Sequence, residues 1–242
     1  PQPDFVLCCN NICNCMTKWY ENIARMCNVP LIMIDIPYNN TVDVHDSNVK
    51  YVRAQFDKAI KQLEELTGKK FDEKKFEKAC ENANHTAKAW LKVCDYLQYK
   101  PAPYSGFDLF NHMADVVTAR ARVEAAEAFE LLASDLEETI KKGETTTPFP
   151  EKYRVMFEGI PCWPKLPALF KPLKEHGVNV TAVVYAPAFG FVYNNMDEMA
   201  RAYYKAPNSV CIEQGVDWRE GICRDNKVDG VLVHYNRSCK PW

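Results

Sequence analysis

Apolar residues recur along the chain in two rhythms, short unbroken runs and helical spacing. The runs Phe5 to Cys9 and Leu31 to Ile36, each bounded by turn residues, predict buried strands, and Met16 to Met26 between them carries helical spacing. That order is a βαβ unit. From Asn48 to Leu66 the apolar positions Val52, Phe56, Ala59, Ile60 and Leu63 share one helical face, closed by Gly68. A second long helix is predicted from an Asp72 N-cap to about Gln98, with Phe76, Cys80, Ala83, Ala87, Trp90, Leu91 and Cys94 inward. Pro101 and Pro103 stop it. A third, rich in Ala and Glu, is predicted from about Asp108 to Lys142.

Gly143 and Thr145-Thr146-Thr147-Pro148 form the clearest linker, so we expect two domains, 1–147 and 148–242. Beyond it Tyr153 to Phe157, Asn179 to Val184, Val210 to Cys211 and Gly230 to Tyr235 are predicted strands. Helical stretches fall around Pro167–Glu175, Met196–Lys205 and Trp218–Asn226. Strands alternating with helices imply α/β architecture with parallel sheets, because each parallel connection must cross over a sheet face. We therefore expect two Rossmann-like or flavodoxin-like domains with long helices between them. The chain opens almost directly on a strand and stops abruptly at Cys239-Lys240-Pro241-Trp242, which suggests an internal segment of a longer subunit.

Composition narrows the function. With 47% hydrophobic residues, 26% charged and a formal net charge of -2, the chain is neither a disordered tail nor a basic nucleic-acid binder. No apolar run approaches a membrane span and no signal peptide opens the sequence, so we expect a cytoplasmic location. Eleven cysteines in 242 residues are too widely scattered for a small disulfide scaffold, which leaves free thiols and metal ligands.

In open parallel sheets ligands bind beyond the carboxyl ends of the strands. Five segments qualify: Cys8 to Cys13, Pro37-Tyr38, Gly159 to Cys162, Tyr185 to Gly190, and Asn236 to Cys239. Three of them carry cysteine. Spacing alone favours a packed or merely exposed thiol over a ligand at each, since no compact Cys-x2-Cys-x2-Cys run occurs. Five scattered histidines without a His-Glu-x-x-His arrangement argue against a zinc hydrolase. No Walker loop, Gly-x-Gly-x-x-Gly or Gly-x-Ser-x-Gly occurs, so ATP chemistry must be supplied by another protein.

The run Pro3 to Glu21 contains Cys8-Cys9-Asn10-Asn11-Ile12-Cys13 and then Lys18-Trp19-Tyr20-Glu21. It resembles the strand, cysteine and helix segment of the 2-hydroxyacyl-CoA dehydratase and benzoyl-CoA reductase family, in which a cysteine after the strand is a cluster ligand. The position relative to Glu21 assigns that role to Cys13, and Cys15 is only a minor alternative for the third cysteine that the family draws from a segment preceding this strand. The ending Val228 to Trp242, with Asn236-Arg237-Ser238-Cys239-Lys240-Pro241-Trp242, resembles the family's later ligand segment and assigns Cys239. Ile36-Pro37-Tyr38, Pro101-Ala102-Pro103 and Gly159-Ile160-Pro161-Cys162-Trp163-Pro164 extend the likeness over the whole chain.

The resemblance implies a [4Fe-4S] cluster held by Cys13, Cys239 and a third cysteine outside these residues. It implies dehydration of an (R)-2-hydroxyacyl-CoA, 2-hydroxyglutaryl-CoA above others, by way of a ketyl radical, with one open iron for the substrate oxygen. It also implies a homologous second subunit, an ATP-dependent iron–sulfur activator and, in some members, a flavin in the partner subunit. Asn10, Tyr38, Tyr185, Asn236, Arg237 and Ser238 are the substrate-contact candidates by their strand-end placement, although such positions more often hold turn residues. The residue that moves the substrate proton is left unassigned. The alternatives are an aromatic acyl-CoA reductase subunit and a noncatalytic, cluster-bearing scaffold subunit.

Overall fold

The computed structural model describes residues 2–11 and 13–235, and the contacts among them divide the chain into two units, Pro1–Glu77 with Tyr193–Gly215, and Lys78–Val192 with Val216–Trp242. The linker expected at residues 143–148 lies within the second unit.

In the first unit β1 (Val6–Cys9), α1 (Asn14–Cys27) and β2 (Leu31–Ile34) form the expected βαβ crossover, with β1 and β2 parallel. The register pairs Val6 with Leu31 and Cys9 with Ile34, so both strands end at the same level. Asn28 ends α1 in the left-handed conformation, its amide donating back to the carbonyls of Ala24 and Arg25. The long helix α2 (Asp46–Thr67) buries Val49, Val52 and Phe56 against Ile36 and Val44 and against Met196, Ala200 and Tyr204. Those last three lie on α7 (Met196–Tyr204), whose N-cap Asn195 accepts from the Glu198 amide at 2.9 Å.

The second unit holds most of α3 (Glu73–Asp95), then α4 (Gly106–Thr118), α5 (Val123–Lys141), β3 (Tyr153–Glu158), α6 (Leu166–His176), β4 (Val178–Val183), most of α8 (Ile212–Asp225) and β5 (Gly230–Val233). Its sheet is parallel throughout, in the order β4-β3-β5, with an irregularity where Val155 pairs with Val180 but Met156 with Ala182. Both faces are covered, as parallel sheets require. Val155, Phe157, Val180 and Val183 pack with Trp90, Phe107, Phe110 and Phe129, while Met156, Ala182 and Val184 pack with Trp218 and Ile222. Trp90 is fully buried, and its indole N–H finds the Ala186 carbonyl at 2.9 Å. A capping box at Ser105 and Asp108 starts α4. Glycine is needed at 106, because an added Cβ would lie 2.6 Å from Val180 Cγ1.

Four sequence expectations need correction. The helix predicted from Asp108 to Lys142 is two helices, α4 and α5, separated at Ala119–Arg122. The β-branched run Val116-Val117-Thr118 weakens helix there, and the turn is held from outside: Asn82 Nδ2 donates to the Ala121 carbonyl at 3.1 Å, and the Arg120 guanidinium donates to the Phe189 carbonyl. Val210 and Cys211 are buried but form no strand; the Cys211 carbonyl accepts from Gly215 N at 3.0 Å, opening α8. That helix consequently starts at Ile212 rather than near Trp218. Tyr96–Gln98, predicted as the end of the second long helix, is a separate 3-10 turn.

Candidate functional site

The equal lengths of β1 and β2 bring Asn10 and Asp35 out side by side at the carboxyl ends of the strands. Asn10 is held at three points: its main-chain N–H donates to Ile34 O at 3.3 Å, its side-chain oxygen accepts from Ile36 N at 2.8 Å, and its Nδ2 donates to Asp35 Oδ1. The other carboxylate oxygen of Asp35 accepts from the Tyr51 hydroxyl at 2.5 Å. That bond pushes the Tyr51 phenol above its ordinary pKa, because ionisation would leave two anions face to face. Asn11 Nδ2 approaches Ser209 Oγ at 3.4 Å, and its buried Oδ1 has no hydrogen-bond partner among the described residues.

Cys13 is the N-cap of α1. Its sulfur is half-buried and accepts a hydrogen bond from Met16 N at 3.3 Å, and its carbonyl accepts from Thr17 N at 3.2 Å. Neighbouring cysteines differ. Cys8 is buried with its thiol 3.6 Å from Met33 Sδ, and burial raises its pKa; Cys9 packs on the α2–α7 core, and burial raises its pKa too. Cys15 is exposed on the first turn of α1. Of the four, Cys13 combines a strand-end loop with an amide hydrogen bond to sulfur, a contact of the kind that tunes iron–sulfur centres. The described residues therefore fit a cluster ligand at Cys13. Among them no group of three or more His, Cys, Asp or Glu gathers around a metal position.

Of the remaining candidates, Tyr38 is exposed. Tyr185 belongs to the second unit, where its ring meets Phe189 edge-on at 5.3 Å and burial raises its hydroxyl's pKa. Asn236, Arg237, Ser238 and Cys239 lie outside the described residues. β5 pairs with β3 up to Val233 and Glu158, and His234 N donates to Glu158 O at 2.9 Å. Gly159 follows at φ +110, where a Cβ would lie 2.7 Å from the His234 carbonyl oxygen. Glu158 accepts from Arg219 Nε at 2.9 Å and from Nη2 at 3.0 Å.

Sequence reasoning missed Asp35, Tyr51 and the Glu158–Arg219 pair. Asp35 was hidden inside the strand predicted from Leu31 to Ile36; as the first polar residue of that run, it was the available signal.

With this geometry in place, the sequence profile of 2-hydroxyglutaryl-CoA dehydratase, D-component, matches residues 1–242. The chain belongs to the 2-hydroxyglutaryl-CoA dehydratase D-component family. It is 77% identical over 242 residues to the α subunit of (R)-2-hydroxyglutaryl-CoA dehydratase of Acidaminococcus fermentans, covering 100% of this chain and 51% of that protein. It is 54% identical over 242 residues to the α subunit of (R)-phenyllactyl-CoA dehydratase of Clostridium sporogenes, covering 100% of this chain and 60% of that protein. It is 46% identical over 243 residues to the α subunit of (R)-2-hydroxyisocaproyl-CoA dehydratase of Clostridioides difficile, covering 99% and 60%. The chain thus spans between about half and three fifths of the length of these relatives. Among the described residues no helix is long and apolar enough to cross a membrane.

Proposed function

We propose that the chain is the cluster-binding segment of a cytoplasmic 2-hydroxyacyl-CoA dehydratase subunit that removes water from an (R)-2-hydroxyacyl-CoA, with 2-hydroxyglutaryl-CoA its substrate. The observation that carries this reading is the 77% identity to the α subunit from Acidaminococcus fermentans along all 242 residues. The relatives named here are α subunits, which supports a homologous partner subunit and a heterodimer. The reading also includes an ATP-dependent iron–sulfur activator and, in the partner subunit, an optional flavin. In the whole subunit residues 1–147 and 148–242 would belong to two Rossmann-like domains.

The reaction is hard because the thioester does not acidify the β proton that must leave, so ordinary acid–base catalysis is mismatched to it. Cys13 and Cys239, with a third cysteine from outside this segment, would hold a [4Fe-4S] cluster. A cluster bound there would supply reversible one-electron chemistry, lending an electron to the thioester while the hydroxyl and the β proton leave as water and taking it back afterwards. The chain's own part is to hold the Cys13 sulfur at the head of α1, where Met16 N donates to it. Tyr38, Tyr185, Asn236, Arg237 and Ser238 are the proposed substrate contacts. Asn10 is a further proposed contact, but its hydrogen-bonding ends are engaged by residues 34–36, so a ligand contact there would displace an existing bond.

The test is to combine the full-length subunit with its partner and activator anaerobically and offer (R)-2-hydroxyglutaryl-CoA, (R)-phenyllactyl-CoA and benzoyl-CoA. Dehydration of the first at the highest kcat/KM supports the proposal. Ring reduction of benzoyl-CoA without dehydration of either hydroxyacyl thioester would replace it with the aromatic reductase.

A further inference from the structure

Parallel pairing of Cys9 with Ile34 means that Asn10 and Asp35 leave their strands at the same level, and each is the first residue beyond its strand. Asp35 divides its two oxygens between two elements, taking Asn10 Nδ2 from the end of β1 on Oδ1 and the Tyr51 hydroxyl from α2 on Oδ2. The amide orientation of Asn10 is fixed by this arrangement. Its oxygen must face the Ile36 N–H at 2.8 Å, so its NH2 must face position 35, where an acceptor is required. The charge of Asp35 strengthens that bond to roughly twice a neutral one. Cys13 lies three positions after Asn10, and the side chain of Asn11 makes a long contact to Ser209 at 3.4 Å.

We propose that Asp35 is the positioning residue for the Cys13 loop, acting through Asn10, with Tyr51 fixing the orientation of the carboxylate. The proposal rests on the reading that Cys13 ligates a cluster. Outer groups that orient the backbone of a ligand govern how tightly the metal is kept, and hydrogen bonds and charge near cluster sulfurs set their electronic properties. Replacing Asp35 by Ala leaves Asn10 Nδ2 without its acceptor and frees the loop. Asp35→Asn keeps an oxygen for Asn10, and the Tyr51 oxygen can accept from the new NH2, so only the charge is lost. A graded response is therefore expected.

The experiment uses the full-length subunit with its partner, reconstituted anaerobically. It measures the rate of iron release to a ferrous chelator and the paramagnetic resonance spectrum of the reduced cluster. Asp35→Ala and Asn10→Ala each release iron about tenfold faster than wild type and alter the spectrum, with Asp35→Asn and Tyr51→Phe lying between. The double variant D35A/N10A is no worse than N10A alone, the non-additivity that marks one residue acting through another. Wild-type release and spectrum in both alanine variants overturn the proposal. If D35A does not fold, the near-isosteric D35N and Y51F carry the test, and wild-type behaviour in both overturns it equally. C13S separates the two levels. Full iron content in C13S defeats the ligand reading beneath the proposal, whereas loss in C13S beside unchanged D35A and N10A defeats the positioning role alone.

Discussion

Arg154 and Glu151 form an ion pair at 2.6 Å with both side chains removed from water, 2% and 5% exposed. The guanidinium also donates to the carbonyls of Leu97 at 2.6 Å, Asn226 at 2.8 Å and Tyr99 at 2.9 Å, while Glu151 accepts from Asn179 Nδ2 at 2.8 Å. One side chain at the start of β3 thus ties together three segments of the second unit. Arg154→Met strands the Glu151 carboxylate and three carbonyls, and should cost about 3–5 kcal/mol. Denaturant titration checks this; a loss below about 1 kcal/mol would mean that water readily replaces the guanidinium.

Asp95 is the last residue of α3, and burial raises its pKa above that of an ordinary Asp. A carboxyl with a raised folded-state pKa favours folding when protonated, so its contribution is present at low pH and fades as pH rises through that pKa. Its charge also sits unfavourably at a helix C-terminus. Asp95→Asn should therefore stabilise the protein at pH 7, by about 0.3–1 kcal/mol from the helix term. The gain should close as pH falls below the carboxylate range. Melting curves from pH 3 to pH 8 decide it, and a gain larger at pH 3 than at pH 7 would reverse the assignment.

Thiol reactivity follows position. Cys80 and Cys94 are 3% and 8% exposed, and burial holds the Cys94 thiol well above its normal pKa, whereas Cys15 is exposed on α1. Timed iodoacetamide labelling of the full-length apoprotein, read residue by residue by mass spectrometry, should modify Cys15 on the order of a hundredfold faster than Cys94. Comparable rates would show that the α3 core opens readily.

How much was legible in the sequence depended on the range of the interaction involved. β1 and β2 were visible because their apolar runs end at turn residues, and α2 because its apolar face recurs until Gly68 supplies a left-handed C-cap at φ +67. The break between α4 and α5 was not, since the groups that hold it, Asn82 and the Phe189 carbonyl, are distant in sequence. Val210 and Cys211 misled for another reason: two buried apolar residues cannot announce whether they precede a helix or form a strand. At the site, Cys13 could be singled out by resemblance, but Asn10, Asp35 and Tyr51 meet only through the strand register, which no local pattern reports.

The most direct measurement is the iron and acid-labile sulfide content of the full-length subunit with its partner, carrying Cys13→Ser or Cys239→Ser and purified anaerobically. The account predicts that each substitution removes most of the cluster and abolishes dehydration. Wild-type iron, sulfide and spectrum in both variants would contradict it.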